Sequence, residues 1–190
     1  MNVVYSIASS REAEMDEFWK GVIHRQFGAA IDMLENAMHA CPDDVWCDQT
    51  RQPEWAAKDI VGFWYLAYHT LFFLDLYLSD SMEDFGPPAP FNRDEFAPAG
   101  LLPDQPYSKD VLLGYLEHCR RKCEKAIDSM TEEKARQPDR IRPEQNLTVA
   151  ERHLYNMRHV QHHAAQLNLV LRQKTGSAPK WVSASRRNKV

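Results

Sequence analysis

Asn156-Met157-Arg158-His159-Val160-Gln161-His162-His163-Ala164-Ala165-Gln166 is the stretch on which the reading of this chain turns. Neither proline nor glycine interrupts it, and apolar residues recur through it and its flanks at helical spacing. At about 100° per residue, Val149, Asn156, Val160, Leu167, Val170 and Leu171 gather on one side, while Arg158, Gln161, Ala165 and Arg172 fall opposite. His159 and His163 stand one turn apart, separated by about 40° around the helix. The projection predicts both in the middle of the apolar stripe, with His162 on its flank. Two imidazoles so placed can grip a single metal ion.

A tight site needs a third ligand, and His69 is the candidate. It stands in the most hydrophobic part of the chain, Val61-Gly62-Phe63-Trp64-Tyr65-Leu66-Ala67-Tyr68-His69-Thr70-Leu71-Phe72-Phe73-Leu74-Asp75-Leu76-Tyr77-Leu78, and shares a helical face with Leu66, Phe73 and Leu76. A neutral histidine buried there needs hydrogen-bond partners or a metal to offset its lost hydration. A lone histidine on an apolar face is ordinarily a satisfied core residue. Three on two inward faces, with an i,i+4 pair among them, reverse that preference. His24, His39, His118 and His153 have no such company and read as surface or capping residues.

Outward from these segments, helical periodicity marks four helices separated by breakers. The first spans about 11–40, with Phe27, Ile31, Leu34 and Met38 on one face, and stops at Cys41-Pro42-Asp43-Asp44. The second opens after Pro53, with Glu54 in its first turn, and reaches about residue 78. The third starts at the cap Ser108 and ends near Met130. The fourth starts at Thr148, where Glu151 completes a capping box, and stops at Gly176. Between the second and third lies a long Pro-rich connection, 79–107, whose Phe85, Phe91, Phe96 and Tyr107 predict packing over the bundle end or the mouth of the site. The expectation is one all-α domain over 1–176, a four-helix bundle, followed by an exposed tail at 177–190.

Composition narrows the functional classes. The 23 basic and 27 acidic residues are mixed along the chain, leaving a net charge of -4 and no basic stripe of the kind a phosphate backbone demands. Nucleic acid is thereby excluded as the expected partner. The run at 61–78 carries His69 and Asp75 and has no counterpart elsewhere, so it reads as a central bundle helix and not a membrane span. The first ten residues lack a basic region and a long apolar core, which predicts a cytoplasmic protein. Cys119 and Cys123 continue an apolar stripe with Leu112, Leu116 and Ile127, the pattern of small core residues.

With these features in place, the chain resembles the DinB/YfiT-like superfamily. The residues that carry the resemblance are the single His69 in the second helix, the cluster His159-Val160-Gln161-His162-His163 in the last, Pro42-Asp43-Asp44-Val45-Trp46 after the first, Trp55 opening the second, and Tyr107-Ser108 before the third. The resemblance covers most of the chain. It implies an up-down-down-up bundle with a long crossover between helices two and three, and a divalent metal held by His69, His159 and His163, leaving His162 as a neighbour. It also implies a family in which some members are thiol-dependent transferases and isomerases.

Three imidazoles with an open fourth position make a catalytic arrangement, because structural zinc is normally closed by a fourth protein ligand. A metal so held either lowers the pKa of bound water or binds a substrate thiol as thiolate. All-nitrogen ligation suits zinc, nickel, copper or iron and does not choose among them; zinc or nickel is the leading expectation. Arg152 and Asn156 project along the ligand stripe before His163 and read equally as groups that orient substrate or water, with His162 beside them, or as a helix-end polar group and a core hydrogen bond. Tyr65 and Tyr68 read as packing, and Asp75 faces away from His69. The expected activity is a metal-dependent transferase using a low-molecular-weight thiol, or a hydrolase, working as a homodimer. The alternative is a non-catalytic small-ligand-binding or stress-response bundle with a structural metal.

Overall fold

The computed structural model describes residues 2–48, 62–96 and 105–186. Among them are six α-helices and no strand: α1 (Asn2–Ala40), α2 (Asp43–Trp46), α3 (Gly62–Leu76), α4 (Lys109–Asp128), α5 (Glu132–Arg136) and α6 (Val149–Thr175). The first helix begins earlier than the expected position near 11, since neither glycine nor proline breaks the chain before it. The expected opening of the second helix at Pro53 and Glu54, with Trp55, lies outside the described residues, as do Pro98, Gly100 and Pro103.

Local chemistry fixes the helix ends. Ser108 Oγ accepts from the Val111 amide at 3.3 Å, covering one of the unpaired donors that open α4. At α6, Thr148 and Glu151 cap each other's backbone reciprocally, and Gly176 ends the helix at φ 79°, a left-handed conformation that suits glycine. Gly62 also has a positive φ, 84°, and a Cβ there would stand 2.9 Å from the Asp48 carbonyl oxygen.

The long helices α1, α6, α3 and α4 form a ring in which each touches its two neighbours. Their directions follow from side-chain pairs. Arg120 meets Asp32 at 2.8 Å while His24 meets Asp128 at 2.7 Å, so α4 runs against α1. Lys174, in the last turn of α6, reaches Asp48 just beyond α1 at 2.7 Å, so α6 runs with α1. Lys109 at the start of α4 reaches the Cys41 carbonyl at 2.7 Å, and the start of α3 abuts Asp48. The order is up-down-down-up, and the crossover joins the parallel pair α3 and α4.

That crossover explains the composition of α3. Its residues from Phe63 to Tyr68 are buried on all sides, as expected of a helix apolar all round. On one side stand α6 and α4. On another the connection presses Phe91 against Tyr68, with ring centroids 5.7 Å apart, and Phe85 and Phe96 against Phe72, each at 5.1 Å. The aromatics expected to pack do so, and Phe85 and Phe91 belong to the core itself.

Two expectations are corrected. The segment beyond Gly176 is not simply an exposed tail. Through residue 186 it runs back along α1, where the buried Ser185 donates its amide to the Arg25 carbonyl at 2.9 Å and Gln26 Nε2 donates to the Ser183 carbonyl at 3.1 Å. The small side at Gly28 admits it, since a Cβ there would stand 2.8 Å from Ser185 Cβ. His153, read as surface or capping, is buried instead, its Nδ1 donating to the Val149 carbonyl at 2.8 Å. Cys41, Cys119 and Cys123 are buried free thiols and Cys47 is exposed. No described helix is long and apolar enough to cross a membrane.

Candidate metal centre

α3 and α6 pack antiparallel, and their seam brings His69 opposite His159 and His163. One nitrogen from each ring belongs to a set whose members all lie within 4.8 Å of one another. Ring centroids are 5.7 Å apart for His69 and His159, 5.2 Å for His69 and His163, and 4.5 Å for the i,i+4 pair. Phe73 lies 4.7 Å from His69 and 6.0 Å from His159, and Tyr77 lies 5.9 Å from His159, so aromatic rings flank the cluster toward the C-terminal end of α3.

The triad sits at the margin of the bundle and not, as the helical projection has it, in the middle of the apolar stripe. On α6 that middle belongs to Asn156, Val160, Ala164 and Leu167, all buried, whereas His159 and His163 lie to the α3 side and are half-buried. A helical projection identifies an inward arc without showing where along it the neighbouring helix stands. The outcome favours ligand access, because one side of the cluster borders solvent. A groove of about 650 Å³ passes between α1, α6 and Trp181 and reaches His159 and His162, though neither His69 nor His163 lines it.

The protonation state suits a cation. Burial pushes His159 down to about 3, and the neighbouring His163, His69 and His162 push the same way. Burial pushes His163 down to about 4, opposed in part by its bond to Gln166. Both imidazoles are therefore neutral at ordinary pH and present a free lone pair. The rings are also partly anchored. Glu95 Oε2 lies 3.2 Å from His69 Nδ1, and Gln166 Oε1 lies 2.6 Å from His163 Nδ1. His159 Nδ1 is buried with no hydrogen-bond partner among the described residues. A buried nitrogen without a hydrogen-bond partner among the described residues, beside two further imidazoles, fits a metal-binding cluster.

The remaining sequence candidates are elsewhere engaged. Arg152 pairs with Asp139 at 2.8 Å, and Asn156 Nδ2 donates to the Leu74 carbonyl at 3.1 Å; neither hydrogen-bonds to the triad. His162 is exposed, its ring 5.1 Å from that of His163. Tyr68 stacks in the crossover aromatics, Tyr65 tilts toward His69 at 6.3 Å, and Asp75 is held by Tyr115 and Lys122 on the α4 side. Glu95 and Gln166 were not among the expected site residues. Gln166 was legible, three positions after His163 on the same helix face. Glu95 was not, because no periodicity places a loop carboxylate.

Fold and site together define the class: an all-α bundle with a histidine triad across two antiparallel helices, suited to a divalent metal. The family model described as the DinB superfamily matches residues 26–167, and the chain belongs to that superfamily. No curated protein and no solved structure matches it.

Proposed function

We propose that the chain is a metal-dependent enzyme in which His69, His159 and His163 hold one divalent ion, zinc or nickel before iron or copper, and that it acts on a small molecule as a thiol-dependent transferase or a hydrolase. The observation that carries this reading is the convergence of three imidazole nitrogens within 4.8 Å, with no carboxylate or thiol among the described residues joining the set. Three protein ligands leave a coordination position for an exchangeable ligand, the pattern of catalytic and not structural sites. When bound, the metal supplies Lewis acidity that activates a water or a thiol near neutral pH. The chain's own residues do the rest: Phe73 and Tyr77 pack against His69 and His159, and Gln166 orients the ring of His163. A low-molecular-weight thiol as cosubstrate, a cytoplasmic location and a homodimer complete the reading.

A non-catalytic ligand-binding bundle is the second reading. It is favoured by the engagement of nearby polar groups in structural bonds, Arg152 with Asp139 and Asn156 with the Leu74 carbonyl. Elemental analysis of protein purified without a His tag, followed by a screen of thiols with electrophilic substrates, separates the two. About one metal per chain with thiol-dependent turnover supports the enzyme. Metal without turnover, or with no access for added thiol, supports the binding bundle, and absence of metal removes both.

A further inference from the structure

We propose that Glu95 positions His69 for the metal and, through that bond, ties the crossover to the metal centre. This rests on the metal-binding reading above. Glu95 belongs to a 3-10 turn, Asp94–Phe96, in the connection between α3 and α4. Its side chain is only 7% exposed, and Oε2 stands 3.2 Å from His69 Nδ1. A carboxylate that leaves water needs a donor in return, and the imidazole N–H supplies one. A neutral imidazole carries one proton. If Nδ1 donates it to Glu95, Nε2 keeps the lone pair with which a cation can be bound.

The packing around the turn shows that this contact is built in. Phe96, next in sequence, lies 5.1 Å from Phe72 and 5.9 Å from Phe85. Arg93, two residues before, donates to the carbonyls of Glu83 and Phe85. Phe91 is stacked on Tyr115 at 4.3 Å. The turn is thus held on the face of α3 that carries Phe72, three residues beyond His69. Glu95 also differs from the other ring anchor. Gln166 is neutral and comes from the same helix as its histidine, whereas Glu95 is acidic and comes from a separate segment. Its oxygens are not in the set that converges within 4.8 Å, so its place is behind His69 and not as a fourth ligand.

The consequence is a reciprocal coupling. A cation on Nε2 makes the Nδ1 proton a stronger donor, so the bond to Glu95 tightens when metal binds, and loss of the bond weakens metal binding by the same factor. The crossover is thereby steadied by the ion that it helps to hold.

The test uses the full untagged chain and the variants Glu95→Ala and Glu95→Gln. Zn²⁺ affinity is measured by competition with a chromophoric chelator, the visible spectrum is recorded after loading Co²⁺, and hydrogen exchange is followed over residues 85–96 with and without Zn²⁺. Glu95→Ala should weaken Zn²⁺ binding about 10–100-fold, shift the Co²⁺ bands, and abolish the protection that Zn²⁺ confers on 85–96. Glu95→Gln, which keeps the size and an acceptor oxygen, should reverse part of all three effects and serves where the alanine variant folds poorly. Wild-type affinity, spectrum and metal-dependent protection in both variants would overturn the role of Glu95 while leaving the metal site standing. A wild-type chain that takes up neither Zn²⁺ nor Co²⁺ would overturn the metal reading and this proposal with it.

Discussion

Asp139 and Arg152 form an ion pair of 2.8 Å with both side chains out of water, one in the connection before α6 and the other in the first turns of that helix. The same carboxylate accepts the amides of Ile141 and Arg142, each at 3.0 Å, so it organises the connection as well as neutralising the guanidinium. Removing one partner strands a buried charge, which costs about 3–5 kcal/mol. Asp139→Ala should therefore lower the denaturation midpoint strongly, while metal content per folded chain stays unchanged. A loss of metal without a loss of stability would move Arg152 from the scaffold to the centre.

Alanine at His69, His159 or His163 should each sharply reduce metal content, because each removes one of three convergent nitrogens. His162→Ala, at an exposed ring beside the cluster, should retain most of it. Elemental analysis of the four variants checks this, and equal retention in all four would break the assignment.

Much of this architecture is readable in the amino-acid sequence. The stripes of α1, α4 and α6, the Thr148 and Glu151 capping box, and the stop at Gly176 are local signals, and local signals survive folding intact. The triad is legible for the same reason: an i,i+4 histidine pair is a property of one helix, and His69 stands alone in an apolar run. What escapes is what depends on neighbours. The marginal position of the triad depends on where α3 lies against α6. The return of Ser185 to α1 depends on the space left at Gly28, and the contact of Glu95 depends on how the aromatics of the connection settle on α3.

An open coordination position should show itself optically. With Co²⁺ in the site, azide or imidazole should change the visible spectrum, since an exogenous ligand enters only a shell that the protein has not closed. The half-buried placement of all three rings leaves a route for it. A spectrum unmoved by either ligand would mark a closed structural site.

The crossover should matter for stability. Phe91 is 7% exposed and contacts Tyr107 at 4.8 Å as well as Tyr68 and Tyr115. Phe91→Ala should cost about 3–5 kcal/mol, the range for deleting a buried phenyl ring, and Phe91→Leu much less. Chemical denaturation measures both. A variant as stable as the wild type would return the segment to the status of a tether.

Acid should weaken the metal-free fold through its buried histidines. His153 is shifted below its ordinary 6.5 chiefly by burial, with Arg152 and Lys134 adding to the shift and the bond to the Val149 carbonyl opposing it. His159 and His163 are pushed down to about 3 and about 4. Each holds its proton less tightly in the folded chain than in the unfolded one, so protons favour unfolding. The stability at stake is fully present above about 6.5, the unfolded value, and is lost as pH falls below it toward the folded values. Thermal midpoints recorded in chelator should be level near pH 7 and fall steadily from about 6.5 to 4. His153→Leu, which removes one such group without touching the triad, should make that fall shallower whatever it does to the midpoint at pH 7. An unchanged slope would mean that His153 does not contribute to the acid sensitivity of the fold.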